Sequence, residues 1–168
     1  LIIFVGRLNS SKGYDIFGKA VIKVLEKYPD WKAIVIGDEP REKITFNHKR
    51  LDILGFLEHN KVSNWFIKSQ IAVVCSRWEE PFGRTALEAA SSGCAVIISN
   101  SGGLPEAAPN AIKINNLSVN SVKLAIEKLI KNKIFRNNLQ KESFKKFYLT
   151  NSLISKKIDK YRNELIKI

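Results

Sequence analysis

The chain has 168 residues, 45% of them hydrophobic, and a formal net charge of +12 at pH 7. That is enough apolar material for one sizeable core, but no run reaches the about 18 to 20 uninterrupted apolar residues of a membrane-spanning helix, and none has the pattern of a signal peptide. Cys75 and Cys94 sit in or beside apolar runs with no second Cys or His at ligand spacing, so they read as two buried thiols in a reduced, cytosolic setting.

The chain opens on "LIIFVG" (1–6), a continuous apolar run stopped by glycine, as in a parallel strand buried on both faces. Ser10 and Ser11 offer N-caps for a helix whose apolar positions, from Ile16 to Leu25, keep a helical period until Pro29. "WKAIVIG" (31–37) is a second strand and "LDILGF" (51–56) a shorter third. A helix over Val62 to Lys68 leads to the fourth strand, "IAVVCS" (71–76). The next helix is expected to start between Phe82 and Arg84, followed by "AVIISN" (95–100), a loop at "SGGLPE" and a weak sixth strand at "AIKI" (111–114). From Ser118 the pattern is helical in three segments, broken near Asn132 and Lys133 and again near Thr150 and Asn151.

Strands alternating with helix-length segments predict right-handed crossovers, hence an α/β fold: a doubly wound, Rossmann-like parallel sheet of about six strands with helices on both faces and a helical C-terminal tail. The expected division is a domain over 1–150 and a final helix over 151–168. The charge belongs to the tail: residues 113–168 carry 14 Lys and Arg against 4 Asp and Glu. Solvated faces of lysine-rich helices account for this, and so does contact with an anionic membrane surface or nucleic acid; the tail lacks the exposed aromatics and glycines that would favour nucleic acid. With no methionine and a strand at its first residue, the chain reads as a piece of a longer protein.

Ligands of such sheets bind outside the carboxyl ends of the strands. The loops there gather glycine and charge. Arg7 leaves the first strand and Lys12 follows five residues later, two cations suited to a phosphate or diphosphate, though a surface pair beside a loop is by itself more often only solvated. "SRWEEPFGRTALEAASSG" (76–93) is more specific. Pro81 and Gly83 fix a turn after the fourth strand, and the helix that follows aims unpaired N–H groups and its positive end at the same edge. Glu80 lies in that turn. Glu88 lies within the helix on the face shared with Arg84 and Thr85. The two carboxylates suit vicinal hydroxyls, such as those of a ribose or sugar ring; the plainer readings are N-cap electrostatics for Glu80 and a helix salt bridge with Arg84 for Glu88.

"FVGRLNSSKGYD" and "LGFLEHNKVSNWFIKSQIAVVCSRWEEPFGRTALEAASSGCAVIISNSGGLPE", in that order, resemble the carboxyl-terminal, donor-binding half of group 1 (family 4) retaining glycosyltransferases of the two-domain GT-B architecture. The resemblance runs from residue 1 to about 115. Its most specific element is the pair Glu80 and Glu88, with seven residues between them that include Pro-Phe-Gly. It implies transfer of a sugar from a UDP-, GDP- or ADP-linked donor with retained configuration, in polysaccharide or lipopolysaccharide synthesis. Arg7 and Lys12, after Gly6, would hold the diphosphate and offset the leaving-group charge. Phe82, Gly83, Arg84 and Thr85 would lend backbone N–H groups to phosphate or sugar. Glu80 would contact donor-sugar hydroxyls at the reacting end, Glu88 the ribose diol, Phe56 and Leu57 the nucleobase, and the Gly102–Gly103 loop the sugar and phosphates. No metal or other cofactor is implied, the nucleotide sugar being substrate.

The partners implied are that donor and an N-terminal acceptor domain absent from these residues, which supplies a catalytic His in the family. His48 and His59 read as loop residues without that role. The fragment is expected to bind and not catalyse. The final helix, with Leu153, Ile154, Ile158, Tyr161 and Leu165 on one face, would brace the absent domain. A cytoplasmic location follows, with peripheral contact at the inner membrane face as the expectation from the basic tail. Two departures stand out: Arg84 replaces a more usual apolar residue, and "AAPNAIKI" after Glu106 lacks the family's Asp-Gly. The alternatives are the sugar-nucleotide domain of a related epimerase or phosphorylase, and a basic nucleic-acid-binding module.

Overall fold

A computed structural model of the chain describes residues 1–145 and 150–166. Six strands form one sheet, all pairs parallel, in the order β3-β2-β1-β4-β5-β6. They are β1 (Ile2–Val5), β2 (Ala33–Ile36), β3 (Leu51–Ile53), β4 (Ile71–Val74), β5 (Ala95–Ser99) and β6 (Ile112–Ile114). The helices are α1 (Tyr14–Lys27), α2 (His59–Lys68), α3 (Arg84–Ser91), α4 (Leu104–Ala107), α5 (Val119–Lys131), α6 (Lys133–Lys145) and α7 (Asn151–Ile166). The doubly wound expectation is met, strand for strand.

The strands read as unbroken apolar runs because alternate residues feed two separate cores. Ile2, Phe4, Val35, Val73 and Ile97 face α1 and α5, while Ile3, Ile34, Ile36, Val74 and Ile98 face α2, α3 and α4. With both faces covered, a polar residue on either parity needs a partner, as Ser99 in β5 finds in the carbonyl of Ser76 at 2.6 Å. Each face also encloses one thiol: Cys75 donates to the carbonyl of Gly13 at 3.3 Å, and Cys94 to that of Phe66 at 3.2 Å.

Several boundaries differ from expectation. Ser10 and Ser11 do not cap α1; the capping position is Gly13, with φ at 73°. The reason is local: Asn9 Oδ1 accepts the Lys12 N–H at 3.0 Å, which curls residues 9–13 into a separate turn before the helix starts. At Gly13 a Cβ would lie 1.9 Å from the Cys75 carbonyl oxygen, so only glycine fits. Helix α2 begins three residues earlier than its apolar pattern, at His59, because its first turn is exposed and polar. "SGGLPE" is more than a loop, since α4 starts within it, with Pro105 in its first turn. The tail follows its pattern. Ser118 and Ser121 form a reciprocal capping box at the start of α5. Asn132 Oδ1 accepts the Phe135 N–H at 2.9 Å, separating α5 from α6. Helix α7 is present, with Ile154, Ile158, Tyr161 and Leu165 exposed; Lys167 and Ile168, also expected in it, lie outside the described residues.

Candidate functional site

The order 3-2-1-4-5-6 reverses direction between β1 and β4, and the ladder shows the consequence there. Strand β1 keeps register with β2 along its whole length, Ile2 to Val5 against Ala33 to Ile36. With β4 it pairs only at Ile2–Ile71 and Ile3–Ala72. Past that point the strands diverge, because their connections leave to opposite faces, and a crevice opens at their carboxyl ends.

Two clefts occupy this edge and share Val5 and Gly6. The larger, about 350 Å³, lies between β1 and β4 in front of α3. Phe4, Val74 and Leu104 form its floor, Ser76 and the Glu80–Thr85 segment its far wall, and Lys12 reaches in from the opposite loop. The smaller, about 260 Å³, lies over β1 and β2, with Arg7, Asp38, Phe56 and Leu57 at its rim. Arg7 is exposed, and Phe56 is 73% exposed. The cations expected to act together are therefore divided between two adjoining clefts.

Each carboxylate of the pair in the 76–93 stretch has a partner. Lys12 Nζ donates to Glu80 Oε1 across the larger cleft, and Arg84 Nη2 lies 3.5 Å from Glu88 Oε1. Glu88 does not line the cleft; it is the helix partner of Arg84. The Gly102–Gly103 loop lines neither cleft and instead packs under the turn. The Gly103 N–H donates to the Glu80 carbonyl at 2.6 Å, and a Cβ on Gly102, where φ is 51°, would come within 2.5 Å of the same oxygen. Two close backbone contacts thus hold the Glu80 main chain. Gly83 precedes α3 with φ at 80°, which turns the first N–H groups of the helix toward the cleft. Neither histidine joins the site: His48 Nδ1 accepts the Arg50 N–H, and His59 starts α2.

Residues that local spacing did not mark hold the two loops of this edge together. Arg77 donates to both oxygens of Asp15 at 2.6 and 2.8 Å and also to the carbonyl of Ser10. The carbonyl of Ser11 accepts from the N–H groups of Arg77 and Trp78 at 2.8 and 3.1 Å and from the Ser76 hydroxyl. Hydrogen bonds from Arg77 hold the Asp15 carboxyl below its usual range, and Asp15 in turn raises Arg77. From the other side, Glu42 accepts from the Ser10 N–H and hydroxyl, and Glu39 accepts from Asn9 Nδ2 at 3.1 Å. Arg41, with Nε 2.7 Å from Glu39, pulls the Glu39 carboxyl down to about 2. The loop carrying Arg7 and Lys12 is clamped from two directions. Among the described residues no group of three or more His, Cys, Asp and Glu is placed to hold a metal ion.

A doubly wound parallel sheet with a clamped, charged crevice at its switch point has its candidate ligand site at the carboxyl edge of β1 and β4. Comparison with known proteins goes further: the model of the family "Glycosyl transferases group 1" matches residues 1–146, and the chain belongs to that family. It is 34% identical over 120 residues to a human phosphatidylinositol N-acetylglucosaminyltransferase subunit, covering 67% of this chain and 25% of that protein. To the lipopolysaccharide core biosynthesis mannosyltransferase LpsB of Rhizobium meliloti it is 32% identical over 111 residues, covering 60% of this chain and 31% of that one. Among solved structures, the C-terminal domain of the group 1 glycosyl transferase LpcC from Francisella tularensis superposes with a TM-score of 0.75 at 30% identity, covering 86% of this chain and 82% of that one. The chain spans about a quarter of the length of the first curated relatives it matches.

Proposed function

We propose that this chain is the donor-binding half of a retaining glycosyltransferase that moves a sugar from a nucleoside-diphosphate sugar to an acceptor. The observation that carries the reading is the cleft at the β1–β4 switch point, where Lys12, Glu80 and the start of α3 converge. In this reading the diphosphate lies before the N–H groups of Gly83, Arg84 and Thr85, beside the Gly6 backbone, with Lys12 and Arg7 supplying positive charge. When the bond from the sugar to the diphosphate breaks, the electron pair stays on the leaving oxygen, and those cations offset the charge. The reading needs no metal ion for that task. Glu80 faces the sugar hydroxyls, and Phe82 and the Gly102–Gly103 loop frame the turn beside it. Phe56 and Leu57 form the apolar seat for the base in the smaller cleft, and Glu88, once released by Arg84, is within the same helix for the ribose diol.

Transfer also requires an acceptor held in line, a contribution of several kcal/mol. We assign that to an N-terminal domain outside this chain, so the chain alone binds donor without turning it over. Exposed apolar residues on α7 suit bracing of that domain. The relatives' names, one a phosphatidylinositol-directed and one a lipopolysaccharide-directed transferase, support a glycolipid or surface-polysaccharide acceptor. The lysine-rich tail suits work at the cytoplasmic face of a membrane; no helix among the described residues is long and apolar enough to cross one.

The test is calorimetric titration of the folded chain with UDP, GDP and ADP. Binding of one of them in the micromolar range, weakened by Arg7→Ala, is expected. A folded sample that takes up none of the three overturns the proposal.

A further inference from the structure

Among the described residues, no cation lining the larger cleft awaits an anion; each already has one. Lys12 is held by Glu80, with side chains only 23% and 15% exposed, and Arg84 by Glu88. The second pair is on the surface, with the Arg84 side chain 80% exposed, and yields easily. The first is shielded and spans the cleft, so any phosphate reaching Lys12 must displace a carboxylate that stays beside it. The Glu80 main chain cannot retreat. Its carbonyl is fixed by the Gly103 N–H, and its backbone lies against Gly102, leaving only side-chain torsions free to move.

We propose that Glu80 is an internal rival of the diphosphate, and that this rivalry makes the cleft favour the intact donor over the spent nucleoside diphosphate; the inference rests on the donor reading above. With a nucleotide sugar bound, Lys12 turns to the phosphates and the freed carboxylate accepts hydrogen bonds from the sugar hydroxyls, so both charges keep partners. With a bare nucleoside diphosphate there are no sugar hydroxyls. The displaced carboxylate then faces the terminal phosphate, like against like, in a cleft that is partly shut off from water. Lys12 returns to Glu80 and the nucleotide leaves. Glu80 is thereby a specificity-determining residue that distinguishes substrate from product through a pair it makes when neither is present.

The test compares wild type, Glu80→Gln, Lys12→Gln and the double variant, with folding checked by thermal melting. Each is titrated with UDP, GDP and ADP and with UDP-glucose, GDP-mannose and ADP-glucose. Glu80→Gln is expected to bind the matching nucleoside diphosphate about fivefold tighter than wild type, and the gain should shrink in the Lys12→Gln background, where no carboxylate–ammonium pair has to be broken. The affinity ratio of nucleotide sugar to nucleoside diphosphate should fall in Glu80→Gln. Glu80→Asp, which keeps the charge but withdraws it by one methylene, is the second variant and should give a smaller gain. A wild type that binds a nucleoside diphosphate no less tightly than folded Glu80→Gln and Glu80→Asp overturns the rivalry and leaves the donor reading standing. A gain that persists undiminished without Lys12 also overturns it, since removal of negative charge alone would then explain the effect. If no nucleotide or nucleotide sugar binds wild type or either Glu80 variant, the donor reading fails and the rivalry with it.

Discussion

The two clefts that share Val5 and Gly6 differ in how they meet a ligand. The one between β1 and β4 is built from charges already neutralised within the protein, and its loops are clamped by Arg77, Asp15, Glu39 and Glu42. The one over β1 and β2 is mostly apolar, with Phe56 standing in solvent and Arg7 exposed at its rim. In the proposed donor-binding role, a preorganised polar site beside an open apolar seat divides labour. The first supplies electrostatics that depend on close loop placement, and the second supplies contact area that tolerates movement.

The sharpest way to break that contrast is to dislodge the polar loop. Gly13→Ala places a methyl group 1.9 Å from the Cys75 carbonyl at a left-handed φ, and should cost about 3 kcal/mol or more of stability. Urea denaturation measures it, and an unchanged midpoint would refute the close packing of the two loops. Next in size, Lys12→Ala should lower nucleoside diphosphate affinity about tenfold and flatten its dependence on salt. Phe56→Ala should weaken binding to a similar degree through lost stacking, with the salt dependence intact; a flattened salt curve there would erase the distinction between the clefts. Arg77→Ala removes three side-chain hydrogen bonds at a half-exposed position and should cost about 1 kcal/mol, with Arg77→Lys recovering part of it. Smallest is the acid limb. The Glu39 carboxyl, ordinarily near 4.5, is held at about 2, so its contribution to stability is complete above the ordinary value and is lost as pH falls toward 2. Thermal melts between pH 5 and pH 2 should converge for wild type and Glu39→Gln as the pH drops, and parallel curves would show that Glu39 does not secure the loop.

Much of this was legible in the sequence, for identifiable reasons. Buried parallel strands must be apolar on both parities, so "LIIFVG", "WKAIVIG", "IAVVCS" and "AVIISN" each marked a strand at nearly its true place. The turn at Pro81 to Gly83 marked the start of α3 because a glycine with positive φ and a helix entrance go together. Contacts between distant segments were not legible. Asp15 and Arg77 are 62 residues apart and Ser10 and Glu42 are 32 apart, and no local period links them. The same limit explains the misplaced cap of α1. Ser10 and Ser11 look like caps in isolation, yet the structure uses them as acceptors and donors for Arg77, Ser76 and Glu42. It also explains why Glu80 showed no ion-pair partner in the sequence: Lys12 comes from another loop.

The cysteines add a last consequence. Each face of the sheet encloses one thiol, and burial pushes both up to about 12, so neither ionises while its face is closed. Cys75 lies beneath the clamped loops and Cys94 beneath α2 and α3. An alkylating reagent should leave the folded chain untouched and mark each sulfur only as its own side opens. The two labelling rates are native stopwatches, and a ligand seated over β1 and β4 should slow the one at Cys75 more than the one at Cys94.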